Sequence, residues 1–521
     1  MRRRPHHSLF FLLLALTIVS AGMQSSIAHS QAKKDADPAE KKTELPVPPE
    51  SKVESKHVWS AGARTVHYTA TAGNLLLNDA HSKPVGSIFY VAYTEDGAAP
   101  KSRPVTFLYN GGPGSPTVWL HMGSFGPVRV VTNSPKSTGA APYTLAPNEY
   151  SLLDKTDLVF IDAPLTGYSR VVGSGTAKDF VGVDEDVAAF DQFITRYITL
   201  NHRWNSPKFL FGESYGTPRS AALVAALYRD GIECNGVVLL SSILNFNVRS
   251  TGYDLEAKTY LPSYAAIAWY YNKVPHTDTL EQFIDKARAF ARGPYAEALE
   301  LGSNLPVDQF DAIALQVSAL TGLSVQYVKE ANLRIAPGRF RKELLRDQQQ
   351  IVGRYDARFE AFDQDAAGEN PGFDPSSTGI TGAYISALHD YLQNELKYDS
   401  TEPYYQHGPG TENWNWSHHP AGSAPGGFQR EQREPDTTVD LADTLRKNPD
   451  LKVFSANGWF DLATPFFGTE HDVAHMLLPP AIAKNISFGY YPAGHMVYLN
   501  LEALKQFHSE LDAWYTATSG K

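Results

Sequence analysis

The chain has 521 residues, 56 acidic side chains against 46 Lys and Arg, and one cysteine, Cys234. A net charge of −10 argues against nucleic acid or an anionic membrane surface as a partner. A lone thiol excludes an internal disulfide, so the fold must rest on its core.

Residues 1–32 open with Arg2-Arg3-Arg4, continue through the apolar Leu9–Leu16 and end in small residues. This is the pattern of a secretory signal peptide, with cleavage expected near Ala32. The apolar run is too short for a comfortable membrane anchor, so an exported, periplasmic or secreted protein without a stable membrane anchor is expected. Export without a cysteine pair suggests a bacterial-type compartment. Residues 33–55, rich in Lys, Glu, Pro and Ala and lacking aromatics, read as a disordered linker.

Residues 56–250 read as the first part of a core. Val66–Thr71 and Ser87–Tyr93 suggest an antiparallel strand pair. Val105–Tyr109 and Val159–Ile161 read as buried strands, Asp184–Tyr197 as an amphipathic helix, and Val237–Leu240 as a strand beside a structural Cys234. This alternation predicts a doubly wound, mostly parallel sheet. Residues 251–400 read as a helical cap insertion, with helices at Leu280–Leu301, Phe310–Leu320 and Phe340–Phe362. Such a cap would exclude water and shape a pocket. Residues 401–521 complete the core, with strands at Leu451–Ala456 and Ile486–Tyr491 and a helix from Leu501. Tyr404, Tyr405, Trp414 and Trp416, in the loop that opens this part, either line a hydrophobic subsite or pack beneath the loop.

The most informative stretch is Phe209-Leu210-Phe211-Gly212-Glu213-Ser214-Tyr215-Gly216, followed by the helix-forming Ser220–Leu227. A strand that turns sharply into a helix around a serine, with glycines two residues to either side, is a nucleophile elbow. Gly212 and Gly216 leave room for the turn, and Ser214 can present its hydroxyl. The α/β-hydrolase fold places its acid and histidine downstream, in that order. Asp461 follows the strand ending at Ala456, and His495 follows the strand ending at Tyr491. His495 is then the base that activates Ser214, and Asp461 orients it. The oxyanion needs fixed N–H donors, for which the backbone N–H of Tyr215 and the Asn110-Gly111-Gly112-Pro113-Gly114 loop are candidates. His471 and His475 lack a third metal ligand, and His418-His419 reads as a loop pair, so no metal and no cofactor is implied.

Four blocks together resemble the serine carboxypeptidase family (the carboxypeptidase Y and cathepsin A group). They are Asn110–Gly114, Asp162-Ala163-Pro164 through Gly167-Tyr168-Ser169, Gly212–Gly216 and Gly494-His495-Met496-Val497. The resemblance implies an α/β-hydrolase fold and release of C-terminal amino acids from peptides with a free C-terminus. It implies catalysis by Ser214, Asp461 and His495, with an oxyanion hole of Gly112 and Tyr215. It also implies that Asn110, Gly111 and Glu213 bind the substrate carboxylate. Glu213 can share a proton with that carboxylate only where one of the two is protonated, which favours acidic pH.

The chain departs from the family pattern after the glycine-rich block, where Ser115-Pro116-Thr117 replaces a Cys and a pair of Ser. No acid lies between Ser115 and Val131, so neither a carboxyl pair nor a strongly raised pKa at Glu213 is expected. An esterase, an acyltransferase or a prolyl aminopeptidase-like enzyme is the nearest alternative. A non-catalytic binding member of the fold is the alternative of another class.

Overall fold

The computed structural model describes residues 44–249, 253–421 and 431–519. The expected signal peptide and residues 33–43 of the expected linker lie outside them. The main sheet is built from β1 (Lys52–Ala61), β2 (Arg64–Asn78), β3 (Pro84–Glu95), β4 (Val105–Tyr109), β5 (Asp157–Ile161), β6 (Lys208–Glu213), β7 (Gly236–Leu240), β8 (Lys452–Gly458) and β9 (Ile486–Tyr491). Their order is β1-β2-β3-β5-β4-β6-β7-β8-β9, and the short Arg170–Val171 strand pairs with β3. The first four in this order pair antiparallel, and everything from β5 to β9 is parallel.

The period of two along each strand divides the core between the sheet faces. Phe89, Val91, Tyr93, Phe209, Phe211, Val238 and Leu240 meet one apolar layer. Their neighbours Ile88, Tyr90, Ala92, Leu210, Val237 and Leu239 meet the other. Strands buried on both faces read as continuous apolar runs, which is why β6 and β7 were legible. This mixed, mainly parallel sheet with helices on both faces is the α/β-hydrolase fold.

The expected linker ends earlier than its composition suggests. Leu45 exchanges two backbone hydrogen bonds with Gly173, at 2.7 and 3.1 Å. Lys52–Ser55 belong to β1, whose register with β2 runs from Lys52↔Gly73 to Ala61↔Arg64. This edge strand buries little side chain, so backbone pairing holds a sequence that looks disordered by composition.

Residues 253–345 form the helices of the insertion, including α1 (Leu255–Tyr270), around a third apolar cluster with Tyr264, Phe283, Val317 and Phe340. The Phe340–Phe362 segment is not a helix. The α-helix ends at Glu343, a 3₁₀ turn follows at Arg346–Gln348, and Gln350–Val352 pairs antiparallel with Glu360–Phe362. The reason is local turn chemistry. Gln349 takes φ 59°, a Cβ on Gly353 would collide with the Asp356 carbonyl, and Asp356 Oδ1 accepts from Arg358 N at 3.0 Å. Thr381–Asp390, placed in the cap by sequence, packs Ala383, Tyr384 and Ala387 into a sheet-face layer instead.

One buried ion pair joins two helices under the sheet. Arg219 donates to both Asp186 oxygens, at 2.5 and 3.0 Å, and to the carbonyl of Asn110 at 2.7 Å. Both side chains are almost fully buried. Removing one partner strands the other charge, a loss of roughly 3–5 kcal/mol. Asp186→Asn is therefore expected to lower the unfolding free energy by about that amount in a urea titration. A loss below about 1 kcal/mol would contradict the assignment.

Candidate active site

The end of β6 carries the elbow. Ser214 has φ 60°, a conformation that costs a non-glycine residue of order 1–3 kcal/mol unless its surroundings enforce it. Here they do. Ser214 N donates to Leu240 O at 3.0 Å, and Ser214 O accepts from Thr217 N at 2.8 Å and Thr217 Oγ1 at 2.7 Å. A Cβ on Gly212 would collide with the carbonyl of Gly216, and one on Gly216 would lie 2.9 Å from the Tyr109 carbonyl. Both glycines are therefore required where sequence spacing placed them. Ser214 is half-buried, whereas its neighbours Glu213 and Tyr215 are buried.

Two further strand ends supply the acid and the histidine. Asp461 Oδ2 lies 2.8 Å from His495 Nδ1. Asp461 Oδ1 accepts from the N–H groups of Ala463 and Thr464 at 2.7 and 3.0 Å. Thr464 Oγ1 stands 2.7 Å from Asp461 Oδ2 and 3.1 Å from His495 Nδ1. The carboxylate is thus held on both oxygens, and its contact places the imidazole proton on Nδ1, leaving Nε2 as the basic atom. Adjacent residues connect this pair to the elbow: Leu240 O accepts from Ser214 N, and Ser241 Oγ donates to His495 O at 2.6 Å.

The glycine-rich loop follows β4. A Cβ on Gly111 would collide with the backbone nitrogen of Tyr215, so the two chains touch at the elbow. Gly112 takes φ 107°. Neither the Gly112 nor the Tyr215 N–H has an acceptor among the described residues. Asn110 is pinned in place, with Oδ1 accepting from Leu120 N at 3.0 Å and its carbonyl held by Arg219.

Glu213 overturns one expectation. Burial pushes its carboxyl up to about 7, although no acid lies between Ser115 and Val131. His495 and hydrogen bonds from Tyr498 and Asn110 offset part of that rise, while Asp461 adds to it. Tyr498 Oη donates to Glu213 Oε2 at 2.8 Å. The side chain is 2% exposed, and desolvation alone suffices to favour the neutral acid.

Several neighbours were not foreseen. Thr464 was legible in principle, since a hydroxyl three residues after an acid is a familiar turn pattern. Tyr498 lies three residues past His495, but nothing in the sequence points it at Glu213. The loop around residues 404–421 closes one side of the site: Gly408 N donates to Gly114 O at 3.0 Å, and Thr411 fills the space over Gly114. Trp414 and Trp416 stand edge-on to Tyr215, at 5.3 and 6.0 Å between ring centroids. Cys234 is buried and its thiol pushed up to about 12, in keeping with a structural role.

A serine carboxypeptidase family model matches residues 64–289, which include the glycine-rich loop and the elbow. Serine carboxypeptidase-like 33 of Arabidopsis thaliana is 24% identical over 218 residues, 41% of this chain and 40% of that protein. The chain thus spans about 40% of the length of this curated relative. Among solved structures, the prohormone-processing carboxypeptidase Kex1 of Saccharomyces cerevisiae aligns with a TM-score of 0.48 at 15% identity, covering 86% of this chain and 92% of that one. A proline iminopeptidase of Mycobacterium smegmatis aligns with a TM-score of 0.36 at 12% identity, covering 89% and 99%. Over residues 64–289, less than half of its length, the chain is similar to the serine carboxypeptidase family.

Proposed function

We propose that the protein is an exported serine carboxypeptidase that releases C-terminal amino acids from peptides through an acyl-enzyme on Ser214. The family similarity supports a serine hydrolase acting on peptides. The observation that carries the finer reading is the buried Asn110–Glu213–Tyr498 group directly before Ser214, a protonatable carboxyl suited to a substrate carboxylate. An esterase has no use for it.

In this reading His495 Nε2 takes the Ser214 proton as Oγ attacks the scissile carbonyl, and Asp461 stabilises the imidazolium. The unoccupied N–H groups of Gly112 and Tyr215 receive the oxyanion. The tetrahedral intermediate collapses, His495 hands its proton to the departing amine, and water then repeats the sequence on the acyl-enzyme. Asn110, the Gly111 backbone and neutral Glu213 hold the substrate carboxylate. Export rests on the pattern of residues 1–32; no helix of the described residues is long and apolar enough to cross a membrane.

Release of leucine from an N-acylated Phe-Leu, against its C-terminal amide, tests the reading. Ser214→Ala is expected to lose about a thousandfold or more in kcat. Hydrolysis of esters alone, still dependent on Ser214, would move the function to an esterase or acyltransferase. No Ser214-dependent turnover of any kind would point to a binding protein.

The pH dependence has a definite sign. Glu213 is neutral below about 7 and charged above it, where it repels a substrate carboxylate. We expect kcat/KM for the free acid to fall as pH rises through 7, and Glu213→Gln to remove that fall. An unchanged profile in the variant would sink the assignment.

A further inference from the structure

One segment of the insertion, Gly353–Phe359, hydrogen-bonds to both catalytic loops. Arg354 O accepts from Leu462 N at 3.0 Å, next to Asp461, and Tyr355 O accepts from His495 N at 2.5 Å. Ala357 N donates to Phe460 O at 3.0 Å, and Arg358 Nη1 donates to Pro492 O at 3.0 Å. From the other side, Asp374 Oδ1 holds Arg354 N at 2.9 Å and Ser376 Oγ holds Tyr355 N at 3.1 Å. The position of this segment is therefore fixed relative to both the acid and the histidine.

Its side chains face differing fates. Arg358 is taken up by Asp356 and Pro492, and Arg341 by the carbonyls of Val352 and Phe373. Tyr355 sets its ring 5.2 Å from the His495 imidazole. Arg354 lies over that ring, its Cζ 5.1 Å from the centroid. The Arg354 guanidinium has no hydrogen-bond or carboxylate partner among the described residues, although it is half-buried in a chain with an excess of acids. Five donors on a partly desolvated cation call for an anion.

Chemistry says which anion could arrive there. A histidine that protonates the leaving amine must have the departing residue beside it. Tyr355 packs its ring against that imidazole. We propose that Arg354, held over Tyr355, is a specificity-determining receptor for a carboxylate of the departing residue. This rests on the carboxypeptidase reading. In that reading Asn110, Gly111 and Glu213 hold the C-terminal carboxylate, so Arg354 receives the side-chain carboxylate of a C-terminal Asp or Glu.

Calorimetric binding of the departing amino acid separates this from turnover. Leucine, leucinamide and glutamic acid α-amide, whose only carboxylate is on its side chain, are titrated into wild type, Arg354→Gln and Arg354→Lys. Wild type is expected to bind glutamic acid α-amide at least tenfold more tightly than leucinamide. That preference should disappear in Arg354→Gln and survive in part in Arg354→Lys, with unchanged circular dichroism, whereas a loss in Arg354→Gln confined to leucine would place the C-terminus at Arg354 and contradict the proposal. Equal affinities across the three proteins, or no binding by wild type, would overturn the proposal. Hydrolysis of the blocked dipeptide by wild type decides the peptidase reading separately.

Discussion

Reversal of the chain direction at a single residue, Ser214, is the constraint on which the rest of the site depends. At φ 60° the turn brings backbone so close that no side chain fits at Gly212 or Gly111 without displacement. The same approach presses the glycine-rich loop onto the Tyr215 nitrogen, and neither the Gly112 nor the Tyr215 N–H finds an acceptor among the described residues. Backbone strain at Ser214 and the close approach of the glycine-rich loop are thus two consequences of one geometry. Arg219, neutralised by Asp186, clamps the Asn110 carbonyl from below and keeps that loop from drifting.

The electrostatics follow from burial more than from pairs of like charges. Glu213 stays neutral to about pH 7 because water is excluded around it and Tyr498 closes over one oxygen. Asp461 stands in contrast, since its oxygens meet two backbone N–H groups, a hydroxyl and the imidazole. Two carboxyl groups of one site thus stand in opposite settings, one raised by burial and one held by hydrogen bonds on both oxygens.

Much of this was legible in the sequence, for physical reasons. Strands buried on both faces are continuous apolar runs, so β4 through β8 could be read directly, and the order of Ser214, Asp461 and His495 followed from the strand ends. The glycines of the elbow were readable because a tight approach tolerates nothing larger. Other features depended on partners far away in the chain. Composition hid β1, because an edge strand is held by its backbone. Spacing hid the Gly353–Phe359 segment, because apolar residues within a turn mimic a helix. The raised pKa of Glu213 was missed because Tyr498 and the surrounding core, which desolvate it, do not announce their direction in sequence.

The most direct test of the central claim is to locate the reactive atom. Incubation with a fluorophosphonate, followed by intact mass and peptide mapping, is expected to give one adduct, on Ser214, formed far more slowly in His495→Gln. An adduct on another residue, or a rate indifferent to His495, would contradict the account of the elbow and its base.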